Sequence, residues 1–145
     1  MTNHILCAVD LTHGDDAKAL LKEADRIAER EGAVLSVVTV LPDYGSSWVG
    51  SFFKDGTLKD AAAAALDALH DLAKAATAAP DKVQCIVEIG TAYEEILEAA
   101  KKCDADLIIV GAHKPDLAER VVGPNAARIA RHADVSVLIL RDLGV

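Results

Sequence analysis

Five short apolar runs, rich in β-branched residues, recur along the chain with longer amphipathic segments between them, and this alternation constrains the fold more than any other feature. His4–Asp10 (HILCAVD), Ala33–Val40 (AVLSVVTV), Lys82–Glu88 (KVQCIVE), Asp106–Gly111 (DLIIVG) and Val135–Arg141 (VSVLILR) read as strands. Their apolar residues are mostly continuous rather than alternating with polar ones, as expected for strands covered on both faces. Between them, Ala17, Leu20, Leu21, Ala24, Ile27 and Ala28 repeat at helical spacing up to Glu31, with Gly32 as a C-terminal stop. Leu58, Ala62, Ala65, Leu66, Leu69, Leu72, Ala73 and Ala76 form a second stripe, ended by Pro80. A third helix opens at Thr91-Ala-Tyr-Glu94, a capping-box spacing, and carries Ile96, Leu97, Ala100 and Cys103. A short fourth helix runs from about Asn125 to Arg131.

The order βαβαβαβαβ, with connections long enough for right-handed crossovers, predicts an α/β fold with one doubly wound, mostly parallel sheet. No domain boundary is visible, so residues 1–145 read as one domain, a normal size for a single core. The irregular stretch Leu41–Gly56 holds the only Trp and both Phe residues. It reads as a loop capping the sheet, with a mobile flap or partner contact as the alternative.

Composition removes several function classes. Fifteen Lys+Arg against 23 Asp+Glu leave a formal charge of −8, which disfavours nonspecific binding to a phosphate backbone. An aromatic content of 3% leaves few platforms for base stacking, so no nucleic-acid partner is expected. No apolar run approaches the roughly 18 residues of a bilayer span, and no basic region precedes the apolar start, which reads as a strand and not a leader. Cys7, Cys85 and Cys103 form no C-x-x-C pair; Cys7 and Cys85 read as buried free thiols, consistent with a reducing cytoplasm. The histidines show no ligand spacing, so no metal site is expected.

Ligands of open α/β sheets bind beyond the carboxyl ends of the strands, where the winding reverses. Asp10 ends the first strand, Val40 the second, and Gly111-Ala-His113-Lys114-Pro115 leaves the fourth. Gly111 permits a tight turn, His113 and Lys114 follow it, and Gly123-Pro124 fits a helix entrance, where proline loses nothing by lacking an N–H. A glycine turn, a lysine and a helix N-terminus together suit a phosphate, and equally form a plain turn into a capped helix. Asp10 likewise has two readings: acceptor for a ribose hydroxyl or base amine, or cap of the loop that follows it.

Familiar catalytic signatures are missing. There is no G-x-x-x-x-G-K-[ST], no strand followed by G-x-G-x-x-G and no G-x-S-x-G elbow. The carboxylates at the strand ends are not paired to hold Mg²⁺.

Taken together these residues resemble the universal stress protein family over nearly the whole chain. The match lies in Val9-Asp10, in Ala33–Val40, in Thr91–Glu98 and in Ala105–Gly111. Its most specific part is Gly123–His132 followed by Val135–Arg141. The resemblance implies a five-stranded parallel sheet of order 3-2-1-4-5 with helices on both faces, a cytoplasmic location and a homodimer. A terminal strand as apolar as Val135–Arg141 would be an unprotected edge unless paired, so the dimer is expected there.

In the family's nucleotide-binding branch, ATP lies over the ends of the first and fourth strands, held by a loop of glycine, two residues, glycine, nine residues, glycine, and Ser or Thr. Here Gly111 matches the first glycine and Gly123 the last, but Lys114 replaces the second, the spacing is one residue shorter, and Pro124 replaces the hydroxyl residue. The resemblance therefore implies a stress-response module that binds ATP, or AMP or ADP. Ala8 and Val9 would belong to the nucleotide site, Asp10 and the Val40 backbone would hold adenosine, and Gly111, His113, Lys114, Gly123, Asn125 and Ala126 would line the phosphates. The His-Lys-Pro loop also resembles a subset that includes partners of membrane transporters. The alternatives are a nucleotide-free dimeric interaction protein and a slow ATPase or autokinase. The last lacks metal carboxylates and an activated nucleophile.

Overall fold

The computed structural model describes residues 2–42, 55–112 and 123–141, with side chains from residue 58 onward in the second helix. The elements are β1 (His4–Ala8), α1 (Gly14–Glu31), β2 (Val34–Leu41), α2 (Asp55–Ala76), a 3₁₀ turn (Pro80–Lys82), β3 (Gln84–Ile89), α3 (Ala92–Lys102), β4 (Leu107–Gly111), α4 (Pro124–His132) and β5 (Ser136–Leu140). All four strand pairings are parallel, and the sheet order is β3-β2-β1-β4-β5. The expected fold class and strand order are both present.

Alternation along each strand splits the core into two layers. Ile5, Cys7, Leu35, Val37 and Ile109 pack with Leu20, Leu21, Ala24 and Ala28 of α1 and Leu69 and Ala76 of α2. Leu6, Val38, Ile108 and Val110 point the other way, onto Ile96, Ala99 and Ala100 of α3 and Ala126 and Ile129 of α4. Burying a side chain the size of Leu21 or Ile108 contributes about 1.5–3 kcal/mol, which is why both sheet faces must be apolar. No helix among the described residues is long and apolar enough to cross a membrane.

The six predicted α1 core positions are all buried, and the helix ends at Gly32 with φ +67, its N–H bonding the carbonyls of Ala28 and Glu29. Leu66, placed in the second stripe, is instead 37% exposed, because the α2 stripe turns through Ala65, Leu69, Ala73 and Ala76. The helix stops at Ala76, and Pro80 opens the 3₁₀ turn beyond it. Thr91 does precede α3, but its side chain makes no capping bond. The turn depends on Gly90, whose φ of +147 favours glycine and whose missing Cβ would lie 3.0 Å from Glu95 Cγ. Cys7 is buried, and burial pushes its thiol up to about 12. Cys85 is only half-buried on the edge strand, contrary to expectation. Of the Leu41–Gly56 stretch, Leu41 belongs to β2 and Asp55 and Gly56 open α2; residues 43–54 lie outside the described residues.

Candidate functional site

The winding of the sheet reverses between β1 and β4, the strands on either side of the point where ligands of such sheets bind. Asp10 and Gly123 therefore belong to one region, although 113 positions separate them.

Strand β1 ends at Ala8, but pairing continues one residue further through the Val9 N–H and the Val38 carbonyl, 2.9 Å. The buried Thr39 hydroxyl donates to the Val9 carbonyl, 3.0 Å. Val9 thus spends its side chain on the core and both backbone groups on β2. Its contribution to the site is to hold Asp10 in place.

Asp10 itself is exposed, with 65% of its side chain open to solvent. Oδ1 accepts from the Thr12 N–H at 2.9 Å and from the Thr12 hydroxyl at 2.6 Å. The Asp10 carbonyl accepts from the His13 N–H at 3.2 Å. These bonds are the loop-capping role foreseen as one of two readings. Oδ2 lies 3.9 Å from His13 Nε2. Thr12 and His13 were missed at the level of sequence; the Asp-x-Thr spacing of an Asx-type turn was the available signal.

On β2, Val40 is half-buried and pairs with Glu88 of β3, so its backbone lies at the carboxyl end of the sheet as expected. Ala8 is half-buried against the α3–α4 layer. Across β1, Gly111 is the last residue of β4 and pairs with Leu140. It is not a strained turn residue: its φ lies outside the left-handed region, and an added Cβ would sit 3.9 Å from Leu20 Cδ2, an ordinary contact. Gly111 thus lies within the strand, and the turn expected after it falls on residues outside the described ones.

The chain leaves the sheet after Ala112 and returns at Gly123, whose N–H bonds the Ala112 carbonyl at 2.7 Å. That one bond places the start of α4 beside the end of β4. Gly123 is the cap residue, Pro124 opens the helix, and its first turn contains neither a side-chain cap nor an acidic residue. The N–H groups of Asn125 and Ala126 have no carbonyl one turn earlier in the helix to bond. Asn125 is exposed, whereas the Ala126 side chain is buried, so Ala126 can offer only its backbone. His113 and Lys114 lie outside the described residues.

Architecture and winding thus place the protein among the doubly wound parallel α/β proteins with a switch point between β1 and β4. Comparison with known proteins is more specific. The model of the universal stress protein family matches residues 1–141. Universal stress protein G of Shigella flexneri is 25% identical over 143 residues, covering 97% of this chain and 100% of that protein. The solved universal stress protein UspA from Lactobacillus plantarum superposes with a TM-score of 0.77 at 31% identity, covering 97% and 98% of the two chains. Two more distant structures share the fold. One is a universal stress protein in complex with cAMP (TM-score 0.66, 24% identity, 97% of each chain). The other is that of Archaeoglobus fulgidus in complex with dAMP (TM-score 0.62, 22% identity, 94% and 96%). The chain belongs to the universal stress protein family.

Proposed function

We propose that this protein is a cytoplasmic regulatory module that binds ATP or a related adenine nucleotide over the carboxyl ends of β1 and β4 and signals by occupancy. The observation that carries the reading is the 2.7 Å bond from Gly123 to Ala112, which sets a helix N-terminus, with glycine as its cap residue, beside β4, next to the strand that carries Asp10. Such a terminus suits phosphate, since its N–H groups and dipole both favour an anion. The exposed Asp10 carboxylate supplies an acceptor for a ribose hydroxyl, and the Val40 backbone, on β2 beside β1, serves the adenine side. His113 and Lys114 complete the phosphate end in this reading. The cAMP and dAMP complexes of two proteins of the same fold support adenine as the base.

The protein acts as a homodimer through β5. Val137, Leu138, Ile139 and Leu140 are half-buried on an edge strand that carries no charge, a surface that pairing would cover. A nucleotide-free dimer is the second reading, favoured by the Thr12 bonds that already occupy Asp10 Oδ1.

Mass spectrometry of small molecules released from protein purified without added nucleotide, followed by calorimetric titration with ATP, AMP and adenosine, tests the proposal. Release of an adenine nucleotide and saturable binding are expected. Absence of both overturns it in favour of the nucleotide-free dimer.

A further inference from the structure

At the amino ends of β4 and β5, the end of the sheet opposite Asp10, a groove of about 320 Å³ lies between α3 and α4. Leu97, Ile108 and Val135 give it an apolar floor on the α3–α4 face of the sheet. Its volume is at the small end of the range for small-molecule sites, about 300–1,000 Å³. No residue of the nucleotide reading lines it.

Two similar joints build its rim. Helix α3 ends at Lys102 and α4 at His132; in each case an Asp follows two residues later, Asp104 or Asp134, and the chain then enters a strand. Asp104 takes φ +55, the left-handed conformation that turns the chain off α3, and the Ala105 N–H donates to the Ala100 carbonyl at 2.9 Å. Aspartate tolerates this conformation better than most residues with a Cβ. The turn sets the Asp104 carboxylate at the edge of the groove. Sheet register, with Leu107 beside Ser136, brings the two joints side by side.

The charges of this rim do not cancel. Asp104 and Asp134 are negative and Lys101 positive, which with histidine counted neutral leaves the lining with an excess of negative charge. Both helices also turn their carboxyl ends here, each equivalent to about half a negative charge. Among the described residues, neither carboxylate takes part in a side-chain hydrogen bond or an ion pair. Lys102, which does not line the groove, is instead 4.0 Å from Glu88. The net charge of −8 draws cations to the chain in the same sense. A bare metal ion is not what the groove complements, because no group of three metal-ligating side chains forms among the described residues. An apolar floor beside two carboxylates complements a positive head on an apolar body.

We propose that the groove between the carboxyl ends of α3 and α4 binds a small organic cation, a primary ammonium group on a short alkyl chain. The ammonium donates to Asp104 and Asp134, and the alkyl chain lies on Leu97, Ile108 and Val135. Lys101 opposes the ligand, so its removal changes affinity in the opposite direction to removal of either carboxylate. The site stands apart from the nucleotide reading and from the oligomeric state.

The test titrates n-hexylammonium, hexanol and hexanoate, probes of one chain length and different charge, into the isotope-labelled full chain and follows amide shifts by NMR. Hexylammonium should give saturable shifts at Leu97, Ala105 and Val135, with hexanol weaker and hexanoate weaker by about tenfold or more. Asp104→Asn and Asp134→Asn keep side-chain size, and asparagine also suits the left-handed turn. Each should weaken hexylammonium about two- to fivefold, the worth of an exposed ion pair. Lys101→Met keeps the apolar stem and should strengthen it by a similar factor, a gain that lost packing does not produce. Absence of saturable shifts in the groove overturns the proposal. Hexanoate binding as tightly as hexylammonium, or hexylammonium binding unchanged in both asparagine variants, overturns it as well.

Discussion

Asp106 and Asp10 stand at opposite ends of neighbouring strands and are used in opposite ways. At the amino end, the Asp106 carboxylate accepts the N–H of Asn3 at 2.7 Å and that of His4 at 3.3 Å, and so ties β4 to the start of β1. Beside it, His4 Nε2 lies 2.7 Å from the Ser36 hydroxyl, which donates to Gln84 Oε1 at 3.0 Å, a polar link across three strands. At the carboxyl end, the partners of the Asp10 carboxylate among the described residues are Thr12 and His13 of the loop that follows it, and its side chain is 65% exposed. Nearby, α4 begins with no side-chain cap. Among the described residues, polar groups at the amino end bond across strands, whereas those at the carboxyl end bond within one local turn. The difference teaches that a carboxylate at a strand end is structural or available according to what else reaches it.

If this contrast is right, changes at one end should alter ligand affinity and changes at the other should alter stability. The largest effect is expected from Lys114→Ala. A charged hydrogen bond to phosphate is worth roughly 1.5–3 kcal/mol, so ATP affinity should fall about 10- to 100-fold with adenosine little affected. Equal losses for both ligands in calorimetry would show that Lys114 does not read phosphate.

Ser36→Ala should come next, at the other end. Ser36 is fully buried, and its loss leaves His4 and Gln84 without their shared partner. Chemical denaturation should register about 1–3 kcal/mol, with nucleotide affinity unchanged. A loss of affinity would break the separation of the two ends. Asp10→Ala should weaken adenosine about two- to tenfold, the worth of one neutral hydrogen bond. A lowered melting temperature with all ligands bound normally would place Asp10 with Asp106 as a structural group.

The amino-end carboxylate also predicts a pH dependence. The N–H of Asn3, and then that of His4, hold Asp106 below the usual carboxylate range. The folded state therefore binds its proton less readily than the unfolded chain does. Its stabilisation is present above the unfolded value of about 3.9 and fades as pH falls through the lower folded value. The gap in urea midpoint between the parent and Asp106→Ala should be open at pH 7 and narrow below about pH 4. A gap independent of pH would mean the ionised carboxylate contributes nothing. The smallest effect is expected from Gly111→Ala. A Cβ there makes only an ordinary contact with Leu20, so the melting temperature should stay within about 2 °C of the parent. A large drop would restore Gly111 as an obligatory turn residue.

What the sequence by itself determined was everything that depends on local periodicity. The five apolar runs, the α1 stripe from Ala17 to Ala28, the stop at Gly32 and the start of α4 near Gly123-Pro124 are all legible one segment at a time. The reason is that burial on a strand or helix repeats with the period of that element. The positions of Asp10 just past a strand and of Gly123 at the start of a helix were legible for the same reason, and the strand order came with the family resemblance.

Partner choice was decided only by tertiary structure. Thr91 has the spacing of a cap, yet the turn is set by Gly90 packing under Glu95. Leu66 fits a helical stripe, yet the layer beneath α2 does not reach it. Gly111 looks like a turn glycine, yet pairing with Leu140 keeps it in the strand. Asp106 closes on Asn3 and Asp10 on Thr12 because sheet register brings the chain start to one carboxylate, whereas a local turn serves the other. A hydrogen bond is sensitive to a fraction of an ångström, and such distances are set by parallel strands that pack residues remote in sequence side by side.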